Sequence, residues 1–192
     1  EWEVKLDALA DSGEPFSLDL AMSHLTADII CRTVFSTSLK SETAREVFDA
    51  FTVFERSVAH VELKALIFDP PFRQIRQHQP VLDACEQIRH HLGTLVDSHL
   101  EATDDDYNDI ASAIISARDE DTGKGLSRKE LIDQLGVFFL AGHETTASAL
   151  AWAFFILSQQ PQVVARIRDE VEQVVGDGEV TFEHTRALAL VR

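Results

Sequence analysis

The residues of this chain best suited to chemistry stand six in a row, Ala141-Gly142-His143-Glu144-Thr145-Thr146. An acid, an imidazole and two hydroxyls side by side in so dry a stretch need an explanation. A hydroxyl is donor and acceptor at once, so it can hold a water. The patch lies inside the most apolar run of the chain, Leu135 to Leu157, where an acid without a partner is costly and therefore points to a site. The plainer reading is a buried helix whose Thr145 and Thr146 bond back to the carbonyls four residues earlier. It accounts for the threonines and leaves Glu144 without a partner. His143-Glu144 also opens a zinc-protease pattern, but that pattern needs a second His four residues on, and position 147 is Ala. A membrane span fits by length, yet it would set Glu144 near the bilayer centre at about 2.5–3.5 kcal/mol.

The element that must carry the patch is one long helix, from Ser127 to about Ser158. Ser127 and Glu130 form a capping box, and Pro161 belongs to the first turn of the next helix. Such a helix is on the order of 45 Å long. Its apolar residues run almost all round, which predicts burial on every face. Gln134, Val137, Phe138, Ala141, Thr145 and Ser148 follow helical spacing and share one side. A hydroxyl and a water in the ladder predict a kink or widening there, which Gly142 eases.

The rest of the chain reads as helices as well. A charged piece over Glu1 to Ala10 breaks at Asp11-Ser12-Gly13-Glu14-Pro15. Ser17 or Asp19 caps a helix to about Phe35, with Leu20, His24, Ala27, Ile30 and Cys31 inward. Further helices cover Ser41 to about His60, Pro80 to about Leu100 and roughly Asp109 to Arg118. Leu63, Leu66, Ile67 and Phe68 lead into a break at Pro70-Pro71, and Thr103-Asp104-Asp105-Asp106 is another stop. Pro161 to Val175 is amphipathic and ends at Gly176, before a last turn at Thr181-Phe182-Glu183. With 33 acidic and 17 basic residues, a net charge of -16 and 45% hydrophobic residues, the chain has no basic footprint for nucleic acid. Its two cysteines build no disulfide framework.

The six-residue patch resembles the [Ala/Gly]-Gly-x-[Asp/Glu]-Thr-[Thr/Ser] signature of the cytochrome P-450 family, the haem-thiolate monooxygenases. Gln160-Pro161-Gln162, the Asp119-Glu120-Asp121-Thr122-Gly123 loop and the Thr181-Phe182-Glu183 turn follow the family's order. Thr26-Ala27-Asp28-Ile29-Ile30 ending at Phe35 is similar to the helix that packs beside the central one, with Ser36 where members often have Gly. The resemblance implies an all-α chain, the middle helical part of the family fold around one long central helix. The haem-ligand segment and the sheet regions would lie outside it, so 1–192 would be a single incomplete domain. It implies haem b, a small hydrophobic substrate, O2, and an electron donor of the ferredoxin or flavoprotein reductase type. Glu144 would be the acid and Thr145 the alcohol of a pair that delivers protons for oxygen activation. Ala141, Gly142 and Thr145 would face the haem, the first two small enough to let a flat macrocycle approach. Val137 and Phe138 would face substrate, and Phe51, Phe54 and Ile67-Phe68 the access path. No metal ligand is expected in this chain, because neither Cys31 nor Cys85 has the glycines of the family's Cys-x-Gly setting; both read as small buried or half-buried residues. The Glu-x-x-Arg spacings at Glu42, Glu86 and Glu183 are in the wrong place to be the family's pair. His60, His78 and His99 are expected on solvated faces, His90 and His91 on different faces, and His143 packed or hydrogen-bonded. Likeness to soluble bacterial members implies a cytoplasmic protein with no membrane segment in this chain. The other reading is a non-catalytic acidic helical interaction module.

Overall fold

The computed structural model describes residues 2–13, 15–58, 78–102 and 107–191. Among them every regular element is a helix. In chain order they are α1 (Trp2–Ser12), α2 (Leu18–Phe35), α3 (Glu42–Val58), α4 (Gln79–Glu101), α5 (Ile110–Ser116), α6 (Arg128–Ser158), α7 (Pro161–Val174) and α8 (Phe182–Ala187). The expected sites at His60, Leu63, Leu66, Ile67, Phe68, Pro70-Pro71 and Thr103 to Asp106 lie outside the described residues.

Local chemistry sets the boundaries. Ser17 caps α2 by accepting from the Leu20 N–H. Asp109 caps α5 by accepting from the Ser112 N–H at 2.9 Å. At α6 the Glu130 carboxylate accepts from the Ser127 N–H at 2.8 Å and from its hydroxyl at 2.6 Å, while the Glu130 N–H faces the Ser127 hydroxyl at 3.4 Å. The capping box is therefore present. Pro161 opens α7, where its missing N–H costs nothing. The α2 C-terminus turns on Ser36 at φ +49°, a left-handed conformation that costs a side chain about 1–2 kcal/mol. This is the position where the resemblance called for Gly.

The chain divides into two compact units, Glu1–Ala147 and Ser148–Arg192. In the first, α3 and α4 make the most extensive helix pair. Their inward residues, among them Val47, Phe48, Phe51, Leu92 and Val96, join Ala27, Cys31, Val34 and Phe35 of α2 in one core with Leu131, Leu135 and Phe139 of α6. In the second unit, Glu170 of α7 accepts from the N–H groups of Ala189 and Leu190 at 2.9 and 3.1 Å, and Leu188 is buried.

Two expectations need correction. Burial of α6 on every face does not occur. Its buried residues are Leu131, Ile132, Leu135, Phe139, His143 and Ala147, a stripe following the i, i+4 row, while Val137 is 61% and Phe155 52% exposed. Apolar composition alone does not supply neighbours for every side. Leu20, expected inside, is exposed, because the inward stripe of α2 runs through Ala27, Cys31 and Val34 instead. No described helix is long and apolar enough to cross a membrane.

Candidate functional site

The buried row of α6 carries an imidazole in its middle. His143 is 0% exposed, with its ring edge-on to Phe48 at 5.6 Å and tilted against Phe139 at 5.3 Å. Phe139 in turn stacks on Phe51 at 4.8 Å. Neither ring nitrogen has a hydrogen-bond partner. Burial holds the imidazole below its ordinary pKa, against a smaller opposing pull from the Phe139 carbonyl, so the ring is neutral near pH 7.

The nearest carboxyl belongs to Glu55, whose Oε1 lies 3.8 Å from His143 Nε2, beyond hydrogen-bond reach. Glu55 occupies the last turn of α3, on the same stripe as Phe48 and Phe51. Its Oε1 is buried and unpartnered, and the Glu144 carboxyl stands within 4.8 Å. Burial, and after it the neighbouring Glu144 carboxylate, push the Glu55 carboxyl up to about 7. Donor atoms of Glu55, His143 and Glu144 lie within 4.8 Å of one another. A tetrahedral zinc would need its ligand atoms about 3.3 Å apart, and the 3.8 Å between Glu55 and His143 already exceeds that, so the set is too open for zinc as it stands.

The alcohol lies one residue further along. Thr145 donates its hydroxyl hydrogen to the Ala141 carbonyl at 2.7 Å, the back-bond of the plainer reading, and keeps its oxygen free to accept. The helix stays α through this turn, so the expected widening is not seen; the back-bond takes up the hydroxyl without opening the ladder. Gln134, Val137, Phe138, Ala141 and Thr145 are all exposed, an open, mostly apolar face. Gly142 points elsewhere. A Cβ there would collide with Ile30 Cδ1, so its missing side chain makes room for α2. On the same side, Thr26 donates to the His143 carbonyl at 2.9 Å and fastens α2 to the motif.

Beside this face, Phe51, Phe54, Ile88, Leu92, Gly136 and Val137 are among the residues lining a cleft of about 230 Å³ between α3, α4 and α6. Phe51 and Phe54 thus lie where a path was expected, while Ile67-Phe68 falls outside the described residues. Cys85 lines the same cleft. Cys31 is buried in the core, its thiol pushed up to about 12 by burial and then by Asp28. Both cysteines are the buried and half-buried residues expected.

Glu55 and Thr26 escaped the reading of the sequence as site residues. The signal for Glu55 was present: with Phe48 and Phe51 it makes an i, i+3, i+7 set, an acid on an otherwise apolar stripe.

Comparison with known proteins adds the following. A family model described as "Cytochrome P450" — written P-450 elsewhere — matches residues 4–192. The chain is 30% identical over 164 residues to cyclooctatin synthase of Streptomyces melanosporofaciens, covering 84% of this chain and 35% of that protein. It is 41% identical over 83 residues to a bifunctional cytochrome P-450/NADPH–P-450 reductase of Gibberella moniliformis, covering 43% of this chain and 7% of that protein. Among solved structures, a cytochrome P-450 crystal structure (CYP102L1) superimposes with a TM-score of 0.80 at 22% identity, over 100% of this chain and 44% of that one. The chain spans about a third of the length of the first of these relatives.

Proposed function

Because this chain belongs to the cytochrome P-450 family, we propose that the protein carrying it is a haem-dependent monooxygenase that inserts one atom of dioxygen into a small hydrophobic substrate. Support for the cofactor comes from the open face of α6, where apolar Val137 and Phe138 and small Ala141 lie exposed beside one hydroxyl, Thr145. That surface suits a flat apolar macrocycle. Haem b bound there supplies dioxygen activation, fed by electrons from a ferredoxin or flavoprotein reductase. A reductase partner is in keeping with the Gibberella moniliformis relative, whose name joins the two activities.

The chain's own residues handle binding and protons. Ala141 and Thr145 face the cofactor, Val137 and Phe138 the substrate, and Gly142 serves by letting α2 close behind the motif. Glu144 is the proton donor. Thr145, held by its bond to Ala141, offers its oxygen to a water that passes the proton on. The observation that carries this reading is the adjacency of Glu144 and Thr145 on the exposed side of a helix whose other side is locked in the core. The family match displaces the interaction-module reading.

The test is Thr145→Ala in the whole protein. Product formed per electron pair consumed should fall sharply, with hydrogen peroxide rising to match, and Thr145→Ser should restore coupling. Unchanged coupling in Thr145→Ala would remove the alcohol from this role.

A further inference from the structure

We propose that Glu55 is the proton partner of Glu144: it holds a proton of its own within 4.8 Å of the Glu144 carboxyl and reloads Glu144 after each delivery. This rests on the reading of Glu144 as proton donor.

Two ionised carboxylates with oxygens within 4.8 Å repel each other, so a proton held on the more buried one is favoured. The surroundings favour keeping it. On α3, Glu55 shares its stripe with Phe48 and Phe51, both buried. On α6 the titratable neighbours are His143 and Glu144, with His143 neutral and 3.8 Å away. On α2, Thr26 is spent on backbone carbonyls, and His24 stands edge-on to the far ring, Phe48. Burial and the negative neighbour act in one direction, raising the Glu55 carboxyl to about 7, so both of its protonation states are populated at working pH.

The geometry gives the proton a route. When Glu144 has lost its proton to the pocket, the Glu55 hydroxyl passes its own across, directly or through one water. One O–H bond breaks on Glu55, one forms on Glu144, and the charge moves to Glu55. The Glu55 side chain is 22% exposed, enough to take a replacement proton from water, whereas the 1% exposure of the His143 ring closes that alternative.

The experiment uses the full-length, haem-loaded protein and its Glu55→Gln, Glu55→Asp and Glu144→Gln variants. Infrared spectra of the wild type should show a protonated-carboxyl carbonyl band that titrates near pH 7 and is absent in Glu55→Gln. The glutamine keeps a donor toward Glu144 but carries no transferable proton, so turnover should fall about a hundredfold, the lower end for one lost acid–base group. Its solvent isotope effect should rise, its pH dependence around neutrality should flatten, and Glu55→Asp should restore part of each. A wild-type pH profile in Glu55→Gln, or no carboxyl band near pH 7, overturns the proposal. One equivalent of zinc that is retained by the wild type and lost in Glu55→Gln also overturns it. If Glu144→Gln turns over normally while the band persists, the donor role of Glu144 has failed and the relay fails with it. If Glu144→Gln is impaired and Glu55→Gln is not, only the relay has failed.

Discussion

His99 and His143 are both buried histidines set against aromatic rings near a carboxylate, yet their hydrogen-bond accounts differ in every entry. His99 Nδ1 lies 2.8 Å from the Leu95 carbonyl and Nε2 lies 2.9 Å from Asp109 Oδ2. Its ring stacks on Tyr107 at 4.0 Å. Asp109 is itself anchored by the Ser112 N–H and hydroxyl at 2.9 and 2.8 Å. His143 has no partner on either nitrogen. Burial makes the two look alike, and satisfaction separates them. A buried polar group with every bond made holds a corner of the fold together. One with none made is tolerated only where something else is gained, and here that is a dry neighbour for a carboxyl pair.

The contrast can be broken at its satisfied end first. Asp109→Ala removes the partner of His99 and the cap of α5 together, and should destabilise by about 3 kcal/mol or more in urea unfolding. Burial alone would raise the Asp109 carboxyl, but hydrogen bonds from His99, Ser112 and Ser36 outweigh it and hold the group below its usual value of 3.8. A depressed folded pKa stabilises above the unfolded value and loses that contribution as pH falls through the folded one. The gap between wild type and Asp109→Ala should therefore be full at neutral pH and shrink below about pH 4.

The unsatisfied end should respond little. His143→Leu breaks no hydrogen bond and replaces a polar ring by an apolar side chain of similar size, so stability should stay within about 1 kcal/mol of the wild type. A loss above about 2 kcal/mol would mean that the imidazole has a partner after all, and the comparison would collapse. The smallest effect is expected at Ser36, whose left-handed backbone ends α2. Ser36→Gly relieves that backbone and should stabilise by about 0.5–1 kcal/mol, whereas Ser36→Ala keeps it and should change little. Equal stabilities of the two variants would take the strain away from Ser36.

These two histidines also show where reading the sequence succeeds and where it stops. Helix ends were legible because their signals are local: Ser17, Ser127 with Glu130, Pro161 and Gly176 each act within a few residues. The acid-alcohol pair was legible because the two are adjacent. His99 was expected on a solvated face and is buried, because Asp109, which makes its burial tolerable, arrives from the next helix. Glu55 and Glu144 meet across the fold, so no window of sequence contains the pair. His90 and His91 were assigned to different faces, yet their rings meet edge to face at 5.2 Å, since side chains can lean toward each other from adjacent positions. The extent of burial on α6 was misjudged for a related reason: a sequence shows which residues are apolar, not how many neighbours will come.

The two cysteines carry a practical consequence for tagging this chain. Thiolate is the reacting form of cysteine. Cys31, fully buried and raised to about 12, will hardly form it. Cys85 is partly open and lines the cleft with Phe51, Phe54 and Val137. Within this chain a thiol-directed dye should therefore mark Cys85 alone. Because that sulfur stands at the cleft wall, whatever fills the cleft should slow the labelling, giving a colour change that ranks ligands without any turnover.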